Sequence, residues 1–343
     1  MCRQAIALIC SEVFIAVFSI GVVAAADTGT TTASFLDIPV GAAPASVGSA
    51  YSARATDAYA PVWNPAGLSF LDGIRVSGTE LSYLQGVNYE YFGLAIPLGA
   101  PPEPEKSGPP PPRSGLGVSV QYLGSGSIAG YDVNGLSTGN FSTTFAAYSF
   151  AFAQPVSNDW SLGVTGKYIT ESISNTSGNA LAIDLGTLYK VTDRLAIAGV
   201  LANVGSSVKL VDQSDPLPFE GRFGIAYQAN SRLNISTETV YRESNPVGLR
   251  AGLEWVEQKI FIVRVGGDTS HTNGLSALSA LTVGAGIRLA GQEFSYAWVP
   301  YGDLGNTNYF SLDLRFGGSG QPERRARRPV QSDEHLRELD EIK

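Results

Sequence analysis

NYFSLDLRF, residues 308–316, reads as a strand with two unlike faces: Phe310, Leu312, Leu314 and Phe316 on one, Ser311, Asp313 and Arg315 on the other. A soluble sheet buries the apolar face in a core and leaves the charged face in water. A membrane barrel does the reverse, with lipid outside and a polar interior. Neighbouring segments decide between the two. GLGVSVQYLG carries Leu116, Val118, Val120 and Tyr122 on one face, and FAAYSFAFAQ sets Tyr148, Phe150 and Phe152 against Ala147, Ser149 and Ala151. LAIDLGTLYK sets Leu181, Ile183, Leu185 and Tyr189 against Asp184 and Gly186. FEGRFGIAYQ and LTVGAGIRLA repeat the pattern, with Glu220, Arg222, Gly224, Gly284, Gly286 and Arg288 on the polar side. Only IRVSGTELSYLQ alternates poorly, where the phase shifts.

From Ile74 to Phe316 there are about fourteen such segments, most near the 9–11 residues of a tilted membrane strand. Alternation in one strand is common in soluble sheets, so the connections carry the decision. Tight links (PVSND, VTDR, ANSR, EQK, AGQ) alternate with longer polar ones (SGSIAGYDVNGLSTGN, SISNTSGN, GSSVKLVDQSDPLP, DTSHTNG). Short turns at one end and long loops at the other are the asymmetry of outer-membrane barrels, whose short turns face the periplasm. A sandwich has no reason to keep it. The expected fold is therefore all-β, a transmembrane antiparallel barrel of about fourteen strands over residues 71–316.

A charge on the lipid face at the midplane costs about 2–4 kcal/mol, so the charged positions are expected inside. They are Lys167, Asp184, Glu220, Arg222, Glu238, Arg242, Arg250, Glu254, Arg264, Arg288, Asp313 and Arg315. Mixed signs on neighbouring strands point to a packing network across a narrow lumen rather than a substrate path. Tyr168, Tyr189, Tyr227, Tyr241, Trp160, Trp255 and Trp298 are expected in interfacial girdles.

Composition agrees. Hydrophobic residues make up 44% and charged residues 16%, with 39 Gly, 15 Tyr and 15 Phe, and no apolar run past the amino terminus is long enough for a spanning helix. Residues 1–26 have the layout of a secretory signal: Arg3, an apolar stretch, then Ala24-Ala25-Ala26 with cleavage after Ala26. Glu12 and the small-residue exit favour cleavage over a retained anchor. Cys10 follows Ala7-Leu8-Ile9 rather than a small residue, which rejects lipidation. Both cysteines, Cys2 and Cys10, fall within the signal, so the mature chain would have no disulfide, thiolate metal site or cysteine nucleophile. Net charge of −8 argues against nucleic acid, and the charged stretch 317–343, with RRARR at 324–328, reads as a solvated periplasmic tail. The link PPEPEKSGPPPPRSG, 101–115, reads as stiff polyproline II on the periplasmic side, able to present a surface to a partner.

Residues 27–70 precede the barrel and do not alternate. ASFLDIPVGAAPASVGSAYSARATDAYAPVWNPAGLSF, 33–70, is rich in Ala, Gly and Ser and ends in Trp63, Asn64, Pro65, Ala66, Gly67 and Leu68. Small residues allow close backbone packing and Asn-Pro followed by Gly marks a turn, so this is expected to be a plug or hatch segment inside the barrel. The stretch Phe35 to Leu68 resembles the amino-terminal signature of the PorV/PorQ group within the wider FadL-like outer-membrane proteins, and GDLGNTNYFSLDLRF resembles that group's closing strand. Asp37-Ile38-Pro39 departs from the glycine-containing turn usual there, and the 27 residues past Phe316 depart from barrels that end on that aromatic.

The resemblance implies a bacterial outer-membrane location and two readings of function. One is a PorV-like secretion component that binds exported proteins, its partners periplasmic or secretion-system proteins. The other is a FadL-like uptake channel for hydrophobic small molecules such as fatty acids. Outer-membrane lipid surrounds the chain in both. No cofactor is expected, since no phosphate loop, metal-ligand spacing or dinucleotide fingerprint appears. His271 lies near Ser270 and Ser276 in a polar loop with no fixed acid, and His335 is in the tail, so an enzyme is not expected. Asn140, Asn175 and Asn234 match the glycosylation pattern by chance in such a setting.

Overall fold

The computed structural model describes residues 31–83, 86–99, 111–210, 213–242, 245–272, 277–301 and 305–317. The expected signal (1–26), the proline-rich link from 101 to 110 and the tail beyond 317 lie outside the described residues.

In chain order the strands are β1 (Ile74–Ser82), β2 (Asn88–Pro97), β3 (Gly115–Gly124), β4 (Ile128–Tyr131), β5 (Ser137–Phe141), β6 (Thr143–Pro155), β7 (Trp160–Ile173), β8 (Thr176–Thr192) and β9 (Leu195–Gly205). They continue as β10 (Val208–Leu210), β11 (Gln213–Asp215), β12 (Glu220–Gln228), β13 (Leu233–Arg242), β14 (Asn245–Glu257), β15 (Phe261–Asp268), β16 (Leu281–Leu289), β17 (Gln292–Pro300) and β18 (Asn306–Phe316). Fourteen of them form one closed antiparallel barrel, in which β4–β5 and β10–β11 are separate hairpins on the loop end. β1 pairs with β18 from Ile74↔Phe316 to Ser82↔Asn308, so the sheet has no free edge. Among the described residues no helix is long and apolar enough to cross a membrane.

The side-chain period of two sends apolar residues outward. On β18, Phe310 and Leu312 are 44% and 47% exposed while Ser311 between them is buried. Trp160, Tyr168, Tyr189, Tyr227, Tyr241, Trp255 and Trp298 all lie on outward positions; most are near strand ends, and Tyr168 sits further into β7. β1 departs from the pattern: Glu80 faces out and Leu81 faces in, where Leu81 pairs with Tyr309 and Tyr89. The inner wall there is dry because residues 33–71 fill the barrel, so an apolar side chain is stable inside. Two long links expected as plain loops contain the β4–β5 and β10–β11 hairpins instead. At β8–β9 the register slips between Ile183 and Leu185, and Asn203 takes a left-handed conformation (φ 61°) that turns its N–H onto Asp184.

Candidate functional site: the filled lumen

The interior segment has little regular structure: helical turns at Ala42–Ser46 and Ala60–Trp63 and a 3-10 stretch at Pro65–Phe70. Gly41 (φ 93°) and Gly48 (φ 61°) make bends open to glycine, and Pro61 and Pro65 start their turns where no N–H is needed. Asn64 ties the motif together. Its Oδ1 accepts from the Ala66 N–H at 3.1 Å, capping the turn, and its Nδ2 donates to the Ser52 and Thr187 carbonyls at 3.0 and 3.1 Å. Trp63 Nε1 donates to the Val40 carbonyl at 2.9 Å, and its ring takes the Arg222 guanidinium over one face at 5.4 Å. Arg222 also donates to the Val62 and Trp63 carbonyls at 3.0 and 2.9 Å.

Inward glycines of the wall form a seat for this segment. A Cβ on Gly163 would stand 2.3 Å from Ala66 N, one on Gly186 2.2 Å from Asn64 Oδ1, and one on Gly115 2.3 Å from Leu68 O. On the far side, a Cβ on Gly252 would stand 2.4 Å from Val47 O, and one on Gly266 2.0 Å from Gly48 N. Gly67 itself lies so close to the Ala55 carbonyl that only glycine fits. The six motif residues from Trp63 to Leu68 are all buried.

All twelve charged positions named from the sequence project into the lumen. Towards the loop end, Arg250 holds Glu220, Glu238 and Asp268 at 3.3, 3.0 and 2.9 Å. Glu220 also pairs with Arg242 at 3.1 Å, and Arg242 reaches Asp37 of the interior segment at 3.3 Å. Towards the turn end, Glu254 joins Arg264 at 2.7 Å and Arg54 at 2.5 Å, and Glu293 joins Arg264 and Arg288 at 2.6 Å each. Lys167 and Asp184 pair at 2.6 Å, fully buried, with Asn203 accepting from Lys167 at 2.8 Å. Asp313 accepts from Ser77 at 2.5 Å, and Arg315 pairs with Asp72. Partial burial raises the Asp37 carboxyl to about 6, Arg242 opposing the rise and Glu220 adding to it.

Several participants escape a reading of the sequence. Glu171, which accepts from Thr32 Oγ1 and Ala33 N at 2.5 and 2.7 Å, and Glu293 sit on alternating strands and were open to the same argument. Asp268 ends β15 where a loop was expected to begin, and Arg54, Asp37 and Asp72 lie in non-alternating sequence that gives no facing.

Among the described residues the interior is densely filled. Beneath residues 36–40, a cavity of about 20 Å³ is bounded by Val40, Val62, Trp63, Glu220, Arg222 and Arg250, space for a single water. At the loop end Thr32 N donates to the Pro216 carbonyl at 3.1 Å, and Val208 and Leu217 pack into the same buried cluster as Phe35. Among the described residues no group of three or more His, Cys, Asp or Glu is placed to hold a metal.

No protein-family model matches the sequence, and no curated protein matches it in sequence. In structure the chain is similar to the toluene transporter TbuX of Ralstonia pickettii (TM-score 0.55, 13% identity, covering 80% of this chain and 98% of that one). It is similar also to the CymD monoaromatic hydrocarbon channel (TM-score 0.54, 11% identity, 82% and 98%). A FadL homologue of Pseudomonas aeruginosa aligns too (TM-score 0.51, 12% identity, 79% and 97%). The fold is that of the FadL-like barrels. At these identities the likeness is one of architecture, a fourteen-strand closed wall, and the chemistry of the lumen has to be argued from this chain.

Proposed function

We propose that this protein is a FadL-like outer-membrane barrel that takes small hydrophobic molecules across the membrane, with residues 33–70 acting as a hatch that keeps the lumen shut at rest. The observation that supports it most is the glycine seat. Around the barrel the wall glycines let the hatch backbone lie directly on the strands, a contact with no wall side chains to unlock when the hatch moves. The hydrocarbon channels of the same fold supply the ligand class. In this reading the signal at 1–26 exports the chain, the short turns and the 317–343 tail face the periplasm, and the lumen charges hold the hatch rather than contact the ligand. The test is uptake of radiolabelled toluene by vesicles carrying the refolded protein, against vesicles carrying an unrelated barrel. Faster toluene entry with sucrose still excluded is the expected result, and equal toluene entry would refute the reading.

A second reading, a PorV-like component that binds exported proteins, is favoured by the β4–β5 hairpin. It projects from the loop end with Tyr131, Val133 and Leu136 exposed at its tip, Val133 completely so, and its strands pair only with each other. Pull-down with the intact protein and with Tyr131, Val133 and Leu136 all changed to Ser distinguishes it. A protein partner retained by the first and lost by the second is the expected outcome for a secretion component.

A further inference from the structure

The two ends of the hatch are fastened differently. From Ala42 to Leu68 its backbone is bonded by side chains from several sides of the wall. Ser311 and Glu238 accept from the Ala42 and Ser52 N–H groups, and Tyr91, Thr165 and Ser161 donate to the Ala58, Pro61 and Ala66 carbonyls, at 2.5–2.9 Å. The inward glycines whose Cβ would strike the hatch backbone all meet it between Val47 and Leu68. Residues 32–40 are held otherwise. In the described hydrogen bonds and ion pairs, two wall side chains reach them, Glu171 and Arg242. Between the two parts lies Gly41, whose φ of 93° is open to glycine, so the chain changes direction there.

Glu171 differs from the other buried carboxylates of the wall. Asp184, Glu220, Glu238, Glu254, Asp268 and Glu293 each have a cation within 3.1 Å. Glu171 is as deeply buried and has no cation among the described residues; both of its oxygens are taken by the hatch, from Thr32 Oγ1 and Ala33 N. Its neighbours across the ladder are Phe145 and Gly178, whose side chains offer no donor. Phe145 instead stacks on Phe35 of the hatch, ring centroids 5.9 Å apart. A buried carboxylate must be hydrogen-bonded or hydrated, so Glu171 is satisfied inside the barrel while residues 32 and 33 are docked on it.

The same end of the hatch carries the chain that follows the β10–β11 hairpin. Thr32 N donates to the Pro216 carbonyl at 3.1 Å, and Asn203 Nδ2, at the end of β9, donates to the Pro218 carbonyl at 2.9 Å. Leu217 between them is buried in one cluster with Phe35 and Val208. Two prolines with fixed φ make this stretch a stiff strut, one carbonyl on the hatch and the other on the wall. We propose that residues 32–38 and the strut with its hairpin form a single opening unit, latched to the wall by Glu171, and that the hatch lets go first at this end. The proposal rests on the transport reading and adds where opening begins. No described hydrogen bond or ion pair joins Glu171 to the strut, so the two communicate through the hatch end.

Hydrogen exchange of the refolded full-length protein in detergent, read by peptide, is the measurement. Residues 32–38 and 213–219 are expected to share one protection factor, lower than that of 60–68. Glu171→Ala should lower protection of both by about tenfold, the worth of one hydrogen bond to a charged group, and leave 60–68 within about twofold. Thr32→Val, which keeps the N–H on Pro216 and alters no strand, should act in the same direction and should fold even if Glu171→Ala does not. Leu217→Ser, made on the strut, should loosen 32–38 in turn. A variant that loosens its own segment alone overturns the shared unit, equal loosening of 60–68 means that the hatch moves as a whole, and unchanged protection in Glu171→Ala removes the latch. Toluene entry into vesicles should quicken in Thr32→Val. Shared loosening without toluene entry in any variant or the wild type would refute transport and leave the unit standing, whereas quickened entry with 213–219 unchanged would do the reverse.

Discussion

At the scale of the residue, Arg250 and Asp37 show how a charge inside this barrel is tolerated. Arg250 lies among three carboxylates, each within 3.3 Å. Changing Arg250→Met leaves Glu220, Glu238 and Asp268 buried with one cation fewer, a loss of about 3–5 kcal/mol. Urea unfolding of the refolded barrel, followed by loss of heat-modifiable migration, should show a midpoint lowered by that loss divided by the m-value. Asp37 is the milder case, because its side chain is about a third exposed and solvent trims the effect. Its docked carboxyl titrates near 6 rather than 3.8, so the docked state binds the proton more tightly than a free segment does. Docking should therefore be firmest in acid and loosen as pH rises from about 4 to about 6. Exchange of the Leu36 and Ile38 amides, which close the turn onto Ala33 and Phe35, should be faster at neutral pH after correction for intrinsic rates. Asp37→Asn should abolish the difference.

At the scale of the element, the hatch is held by shape as much as by charge. Gly266→Ala puts a methyl 2.0 Å from Gly48 N and 2.2 Å from Val47 C, both backbone, so the hatch must move and not merely a side chain. The expected result is a barrel that still migrates as folded, destabilised by about 1–3 kcal/mol, with new conductance in planar bilayers. Gly78→Ala, where nothing lies within 4 Å, should behave as wild type. The same contrast explains what the sequence disclosed. Strands such as β8 and β18 were legible because lipid enforces one apolar face, and a period of two is visible without a partner. The inward glycines Gly186 and Gly284 were visible as the other face, but their purpose depends on Asn64 and Ser46 arriving from more than a hundred residues away. The phase of β1 was obscured for the same reason: Leu81 faces inward only because the hatch makes that part of the lumen dry.

At the scale of the whole molecule, the wall and the hatch divide the labour of stability unequally. The fourteen strands satisfy their backbone groups with one another in a closed ring, and no ladder bond of that ring is made by residues 35–68. Most lumen charges likewise have wall partners: Arg250 keeps three carboxylates, Arg264 keeps Glu254 and Glu293, and Lys167 keeps Asp184. Among the described ion pairs, those between residues 35–68 and the wall are Arg54–Glu254 and Asp37–Arg242, and water entering an emptied lumen would solvate the wall groups they leave, as it would Arg222 and Glu238, which bond the hatch backbone. Deleting 35–68 should therefore leave a barrel that assembles and migrates heat-modifiably, at reduced stability, and that conducts ions where the intact chain does not. The β10–β11 hairpin covers part of the loop end, and its anchor at Val208 and Leu217 is packed on the very segment removed, so it should not reseal the mouth. A deletion that folds and stays silent in planar bilayers would mean that the loops, not the hatch, close the path.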